Sequence, residues 1–292
     1  MLNRKPSQAF AKFSAIATLT LAPFFCVEAA TFTFTAIPDA DESQLRTRFE
    51  KVATYLEQQL GVDVNYVPVK SYSAAVTAFR NNQVQLAWFG GLSGVQARKL
   101  VKDSQAIAQG YEDQFFKSYI IAHQSTGLTA SKDFPNINGT TFTFGSKGST
   151  SGRLMPQYFI EQHLHKSPKQ AFKRVGFSGD HSRTIAQVQS GAYQIGAVNY
   201  KVWEKELSEG KIDTSKVSVI WETPTYPDYQ WTIRSDVDAK YGDGFIQKVK
   251  TTLLEMDNPD LLKSFPRSSF VEATNADYQP VEDVAKQIGL ID

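Results

Sequence analysis

The sequence contains a single cysteine, Cys26, so no intrachain disulfide can form. Net charge is nearly absent: 31 Lys+Arg against 30 Asp+Glu give +1 over 292 residues. That balance lacks the electrostatic footprint of a general nucleic-acid binder, but it allows a small anion held in one local pocket. His123, His163 and His165 show no spacing with acidic or thiol partners that would make a metal site, and a surface role is expected for them. No apolar run reaches the roughly 20 residues of a membrane-spanning helix. Internal repeats and low-complexity tracts are also missing. What is present is the composition of a packed globular protein, 41% hydrophobic and 21% charged. The length suits one large domain or two ordinary lobes.

Residues 1–29 have the pattern of a secretory signal peptide. Arg4, Lys5 and Lys12 precede an apolar stretch from Phe13 to Phe25, and Val27-Glu28-Ala29 offers small residues at −3 and −1 of a cleavage after Ala29. A lipid anchor on Cys26 is disfavoured by the bulky Pro23-Phe24-Phe25 before it. Cleavage removes the cysteine and leaves 28 basic against 29 acidic residues, a soluble exported product with charge −1.

The remaining chain alternates two periodicities. Thr31–Ala36, Val62–Pro68 and Val84–Phe89 read as strands; Asp41–Leu60 and Ser73–Asn81 carry helical spacing, the first ending at Gly61. The alternation continues through Phe142–Phe144, Met155–His163, Ile185–Val188 and Ile195–Val198. This predicts an α/β protein with largely parallel sheets, divided into two lobes.

The main chemical signal is Gly145-Ser146-Lys147-Gly148-Ser149-Thr150-Ser151-Gly152, between a strand and an amphipathic helix. A helix start offers unpaired N–H groups and the positive end of the helix dipole. Ser149, Thr150 and Ser151 add hydroxyl donors, so an oxyanion can be bound without a formal positive charge. The order is not that of a Walker loop; the competing reading is an ordinary Gly-rich N-cap. Similar junctions occur at Ser71-Tyr72, at Ala87-Trp88-Phe89-Gly90-Gly91-Leu92-Ser93 and at Ser178-Gly179-Asp180-His181-Ser182, and Thr225-Tyr226-Pro227-Asp228-Tyr229 is a turn between apolar stretches.

Taken in this order and spacing, these segments resemble the phosphate, phosphite and phosphonate substrate-binding proteins of ABC transporters. The resemblance runs from the first strand to about Phe270. It implies a type II periplasmic binding protein: two α/β lobes, each a central mixed sheet flanked by helices, joined by two hinge crossovers. Lobe one would comprise 30–121 and 230–292, and lobe two 122–229. It further implies a ligand in the cleft, a membrane permease and an ATPase as partners, and no cofactor, metal or nucleic acid. A monomer is expected. Carried over, Tyr72, Phe89, Ser149, Thr150, Ser151, His181 and Asp228 contact the ligand, with Trp88 and Tyr200 as further candidates. Phe89 stands where phosphonate binders often have tyrosine, and an apolar ring suits a P–H or P–CH3 face better than a fourth oxygen. Tyr200 or Lys201 stands where aminoalkylphosphonate binders carry glutamate, which disfavours an amine-bearing ligand. Phosphite or a small phosphonate such as methylphosphonate is the expected ligand, captured for import; a sensing role, or a 2-aminoethylphosphonate or phosphate ligand, are the alternatives.

An enzyme is not expected. Ser149 and His181 could be drawn as a dyad, but no third orienting group or nucleophile-elbow motif accompanies them.

Overall fold

A computed structural model of the chain describes residues 1–3 and 30–292. The expected export segment lies outside the described residues. From residue 30 the chain folds into two sheets. The first has six strands: β1 (Phe32–Ala36), β2 (Val64–Tyr66), β3 (Leu86–Phe89), β4 (Gln105–Gly110), β10 (Gln230–Ile233) and β11 (Phe270–Glu272). The second has five: β5 (Ser118–His123), β6 (Thr141–Phe144), β7 (Arg174–Phe177), β8 (Ile195–Asn199) and β9 (Val217–Glu222). The chain passes from one to the other after β4 and returns after β9.

Helices α1 (Glu42–Leu60), α2 (Tyr72–Arg80) and α3 (Gly91–Leu100) pack on the first sheet, while α4 (Met155–Leu164), α5 (Pro168–Ala171), α6 (His181–Gln189) and α7 (Tyr200–Ser208) belong to the second. α1 forms where its sequence spacing predicts. Asp41 caps its first turn by accepting from the Ser43 and Gln44 amides, and Gly61 ends it in the left-handed region at φ 70°. Its buried face, Leu45, Phe49, Val52, Leu56 and Leu60, lies against the first sheet. There Phe34, Trp231 and Phe265 meet the Phe49 ring edge-to-face, and Trp88 tilts against Trp231. Each such pair adds about 0.5–1.5 kcal/mol beyond its buried area. In the second sheet, successive residues Ile120 and Ile121 enter different hydrophobic clusters, because helices cover both faces.

Two expectations are corrected. The sheets are mixed, as the family resemblance implies, and not largely parallel as the strand alternation alone predicts. β1 runs parallel to β2 and β3, and β6 parallel to β7 and β8; β10 runs antiparallel to β3 and β4, and β5 antiparallel to β8 and β9. β5 and β10, the strands that follow the two crossovers, run against their neighbours, as does β11 against β4, and strand alternation alone carries no direction. The expected boundary at 121/122 also falls inside β5, every residue of which from Ser118 to Ala122 pairs with β8. The first crossover therefore ends before Ser118.

The crossovers are clipped together. Asp113 is fully buried and accepts from Arg267 at 2.6 and 2.8 Å and from the Gly110 amide at 3.0 Å. Its backbone carbonyl accepts from the Asp228 amide at 3.0 Å, which joins the outgoing crossover to the returning one. Phe116 and Tyr226 pair backbones across the same region.

Candidate ligand-binding site between the two sheets

Several helix starts meet between the sheets. Tyr72 opens α2 behind its cap Ser71, Gly91 opens α3, His181 opens α6 behind Asp180, and Tyr200 opens α7 behind Asn199. Residues Thr150–Leu154 form a π-helical turn leading into α4, capped by the Ser149 hydroxyl, which accepts from the Gly152 amide at 2.8 Å. The Thr150 and Ser151 amides stand in this first turn, where helix geometry supplies no carbonyl. Strand β6 returns on the turn through Gly145, whose amide donates to the Gly152 carbonyl at 2.8 Å.

Glycine is required where these pieces touch. A Cβ on Gly152 would lie 2.9 Å from Ser149 Oγ, 3.0 Å from His181 Cε1 and 3.1 Å from the Gly145 backbone. A Cβ on Gly148 would lie 3.1 Å from Tyr72 Cβ, so this loop of the second sheet meets the α2 start of the first. More contacts bridge the sheets. The Leu92 amide donates to Thr150 Oγ1 at 3.0 Å, the Gly91 amide to Asp228 Oδ1 at 2.9 Å, and the His181 amide to the Asp39 carbonyl at 3.1 Å.

Four side-chain atoms of this cluster are buried without a hydrogen-bond partner: Tyr72 Oη, Ser151 Oγ, His181 Nε2 and Asp228 Oδ2. Buried polar atoms are normally paired, and each unpaired one costs about 1–3 kcal/mol. Their chemistry is complementary to a protonated oxyanion. Tyrosine and serine hydroxyls donate. Burial keeps the Tyr72 phenol far above its usual range, so it stays protonated. Burial also lowers the His181 pKa to about 4, so the ring is neutral near pH 7. Its Nδ1 accepts from the Asn199 amide at 3.2 Å, which leaves the proton on Nε2 as a donor. Asp228 is pushed up to about 7, first by burial, with the Gly91 amide and Thr150 hydroxyl opposing the rise. It is poised to accept from a P–OH or to donate in its acid form.

All seven expected contact residues are buried. The structure gathers Tyr72, Ser149, Thr150, Ser151, His181 and Asp228 at this junction. Phe89 is the seventh: its ring lies edge-on to Phe79 of α2 at 5.6 Å. Trp88, pointing to the opposite sheet face, stacks on Tyr229 at 5.5 Å. Tyr200 sits at the crossover, 4.8 Å from the Phe116 ring. Ile37 Cδ1 lies 3.5 Å from the Cβ position of Gly90, beside Asp228 Oδ1 and Thr150 Oγ1.

Four residues escape sequence reading. Ile37 and Asp39 follow β1 in a segment without motif character. Asn199 reads only as a helix cap. Ser118 braces the site from β5, donating to the Ser151 carbonyl at 2.7 Å. The signal for the last two was their position at strand ends facing helix starts.

Comparison with known proteins places the chain in a family. The family model for the phosphonate ABC transporter periplasmic substrate-binding protein matches residues 34–278. A probable ABC transporter phosphite binding protein, PhnD1 of Prochlorococcus marinus, is 39% identical over 264 residues, covering 88% of this chain and 89% of that protein. The phosphate-import protein PhnD of Mycolicibacterium smegmatis is 26% identical, covering 89% of this chain and 86% of that one. The solved structure of the Prochlorococcus PhnD1 in complex with methylphosphonate superposes with a TM-score of 0.86 at 38% identity, over 89% of this chain and 99% of that one. With its two mixed sheets, its helix starts meeting between them and this breadth of likeness, the chain belongs to the periplasmic phosphonate substrate-binding proteins of ABC transporters.

Proposed function

We propose that this chain captures phosphite, or a small phosphonate such as methylphosphonate, and hands it to a permease driven by an ATPase. The observation that carries the reading is the set of four unpartnered buried atoms, Tyr72 Oη, Ser151 Oγ, His181 Nε2 and Asp228 Oδ2, at converging helix starts. Three donors and one acceptor match an oxyanion bearing one proton. With Ser149, Thr150 and free helix-start amides they would satisfy three phosphorus oxygens. Ile37, and Phe89 behind it, would face the fourth substituent, a P–H or P–CH3. Phosphate would set an oxygen against carbon there and bind less tightly.

The lobes built on the two sheets would close through segments 111–117 and 223–229, and the closed form would be what the permease recognises. The mature protein would begin after Ala29 and act as a monomer, by binding alone and without a chemical step. Isothermal titration of residues 30–292 tests this: phosphite and methylphosphonate bind, and Ser151→Ala or His181→Ala weakens them about 10- to 100-fold, the loss of one hydrogen bond to a charged group. Unchanged affinity in both variants would refute the site.

A further inference from the structure

Arg48 lies on the buried face of α1, 7% exposed, and its Nε has no hydrogen-bond partner. The guanidinium sits over the rings of Phe49 and Phe265, 5.7 Å from each centroid, and joins no ion pair among the described residues. A buried cation without a partner is costly, and burial lowers its pKa. Beside it is a cavity of about 20 Å³, room for one body the size of a water molecule. Its walls come from both sheets: α1, Trp88 and Phe265–Arg267 on one side, Asn199 and the first turns of α7 on the other.

The charged groups facing this cavity are Arg48, Lys201, Lys205 and Arg267, against Asp39 and Glu206. Arg267 is neutralised by Asp113. Glu206 accepts from the Ser182 hydroxyl, and burial shifts it toward its neutral form. Lys205 donates to Gln44 Oε1 at 2.9 Å and stands 3.9 Å from Glu209. The Asp39 carboxylate offsets part of the Arg48 burial cost, yet the two form no ion pair, and Asp39 Oδ1 is likewise buried without a hydrogen-bond partner. With Asp113 counted, four cations face three carboxylates, and the one positive charge left over borders a space that one monatomic anion can fill.

The geometry points to a second anion site, holding a chloride-sized ion between Arg48 of α1 and Lys205 of α7, separate from the cluster at His181 and Asp228. Both walls are in place only when the lobes are closed. The ion therefore stabilises the closed form and tightens binding of the main ligand, by linkage. This rests on the lobe closure proposed above and not on which phosphorus compound binds.

Crystals grown with bromide in place of chloride test the site directly. An anomalous peak within contact distance of Arg48 and Lys205 is expected; a closed structure without that peak overturns the proposal. In solution, methylphosphonate titrations at equal ionic strength should be about fivefold or more tighter in chloride than in gluconate. Arg48→Gln should erase the difference; if that variant does not fold, Lys205→Gln should at least reduce it. Equal affinities in the two salts, or an undiminished difference in either folded variant, overturn it. The bromide peak separates this from the phosphorus reading, because it is expected in a closed structure whichever ligand, or none, occupies the main site.

Discussion

The amide of Asn199 donates to Nδ1 of His181 at 3.2 Å, and this one bond sets what the histidine can offer. A backbone N–H cannot accept, so the neutral ring must carry its proton on Nε2. The histidine is thereby a fixed donor at neutral pH, although it carries no charge.

Its protonation predicts a pH limb of stability. The His181 pKa is about 4 in the fold against 6.5 in the unfolded chain. Between these values the unfolded state binds more protons, so ligand-free stability rises with pH and is lost as pH falls through about 4. Replacing the ring by glutamine removes this term. Melting temperatures between pH 4 and 7 should rise less steeply in His181→Gln than in the native protein; parallel curves would contradict the assignment.

Asp228 acts in the opposite sense. Its pKa of about 7, against 3.8 unfolded, means that the folded state holds the extra proton in that window. Its stabilising contribution is present below 3.8 and is lost as pH rises through about 7. Asp228→Asn keeps an acceptor for the Gly91 amide and cannot ionise. Without ligand, its melting temperature should gain on the native protein as pH goes from 5 to 8; a constant gap would rule this out. Affinity for methylphosphonate should also fall above pH 7 in the native protein, where two negative groups would meet, and fall less in the variant.

Gly148 and Gly152 should separate closure from folding. A methyl on Gly152 collides with the Gly145 backbone and the His181 ring within one lobe. Gly152→Ala should lower stability by about 1–3 kcal/mol along with binding. A methyl on Gly148 meets Tyr72 of the other lobe. Gly148→Ala should weaken ligand binding tenfold or more with little change in ligand-free melting temperature. Calorimetric titration paired with thermal melts reads both.

The crossover clip is a stability element. Asp113→Asn would leave the Arg267 guanidinium, only 4% exposed, with a neutral partner. Removing one member of such a buried pair costs about 3–5 kcal/mol. Denaturant midpoints should drop accordingly, and a drop below 1 kcal/mol would mean the pair is not what holds the crossovers.

Much of this was readable in the chain because it is local. Capping by Asp41, the stop at Gly61 and the hydroxyl run Ser149–Ser151 each act through neighbours in sequence. The parts that were not readable are non-local. Asp39 enters through its backbone carbonyl to His181, Ser118 through the Ser151 carbonyl, and Asn199 by fixing a tautomer. The direction of β10, inserted between β3 and β4 on its return from the second sheet, leaves no mark on its own residues. Phe89 is legible from its place at a strand end, while Ile37, which has no motif, stands 3.5 Å from the Gly90 Cβ position.

The central claim is that a cluster of hydroxyls, amides and one neutral histidine selects an oxyanion with an apolar fourth substituent. Competitive calorimetry of residues 30–292 with phosphite, methylphosphonate and phosphate at pH 7 tests it most directly. Phosphite or methylphosphonate should bind at least tenfold more tightly than phosphate. Phosphate binding as tightly as both would contradict it.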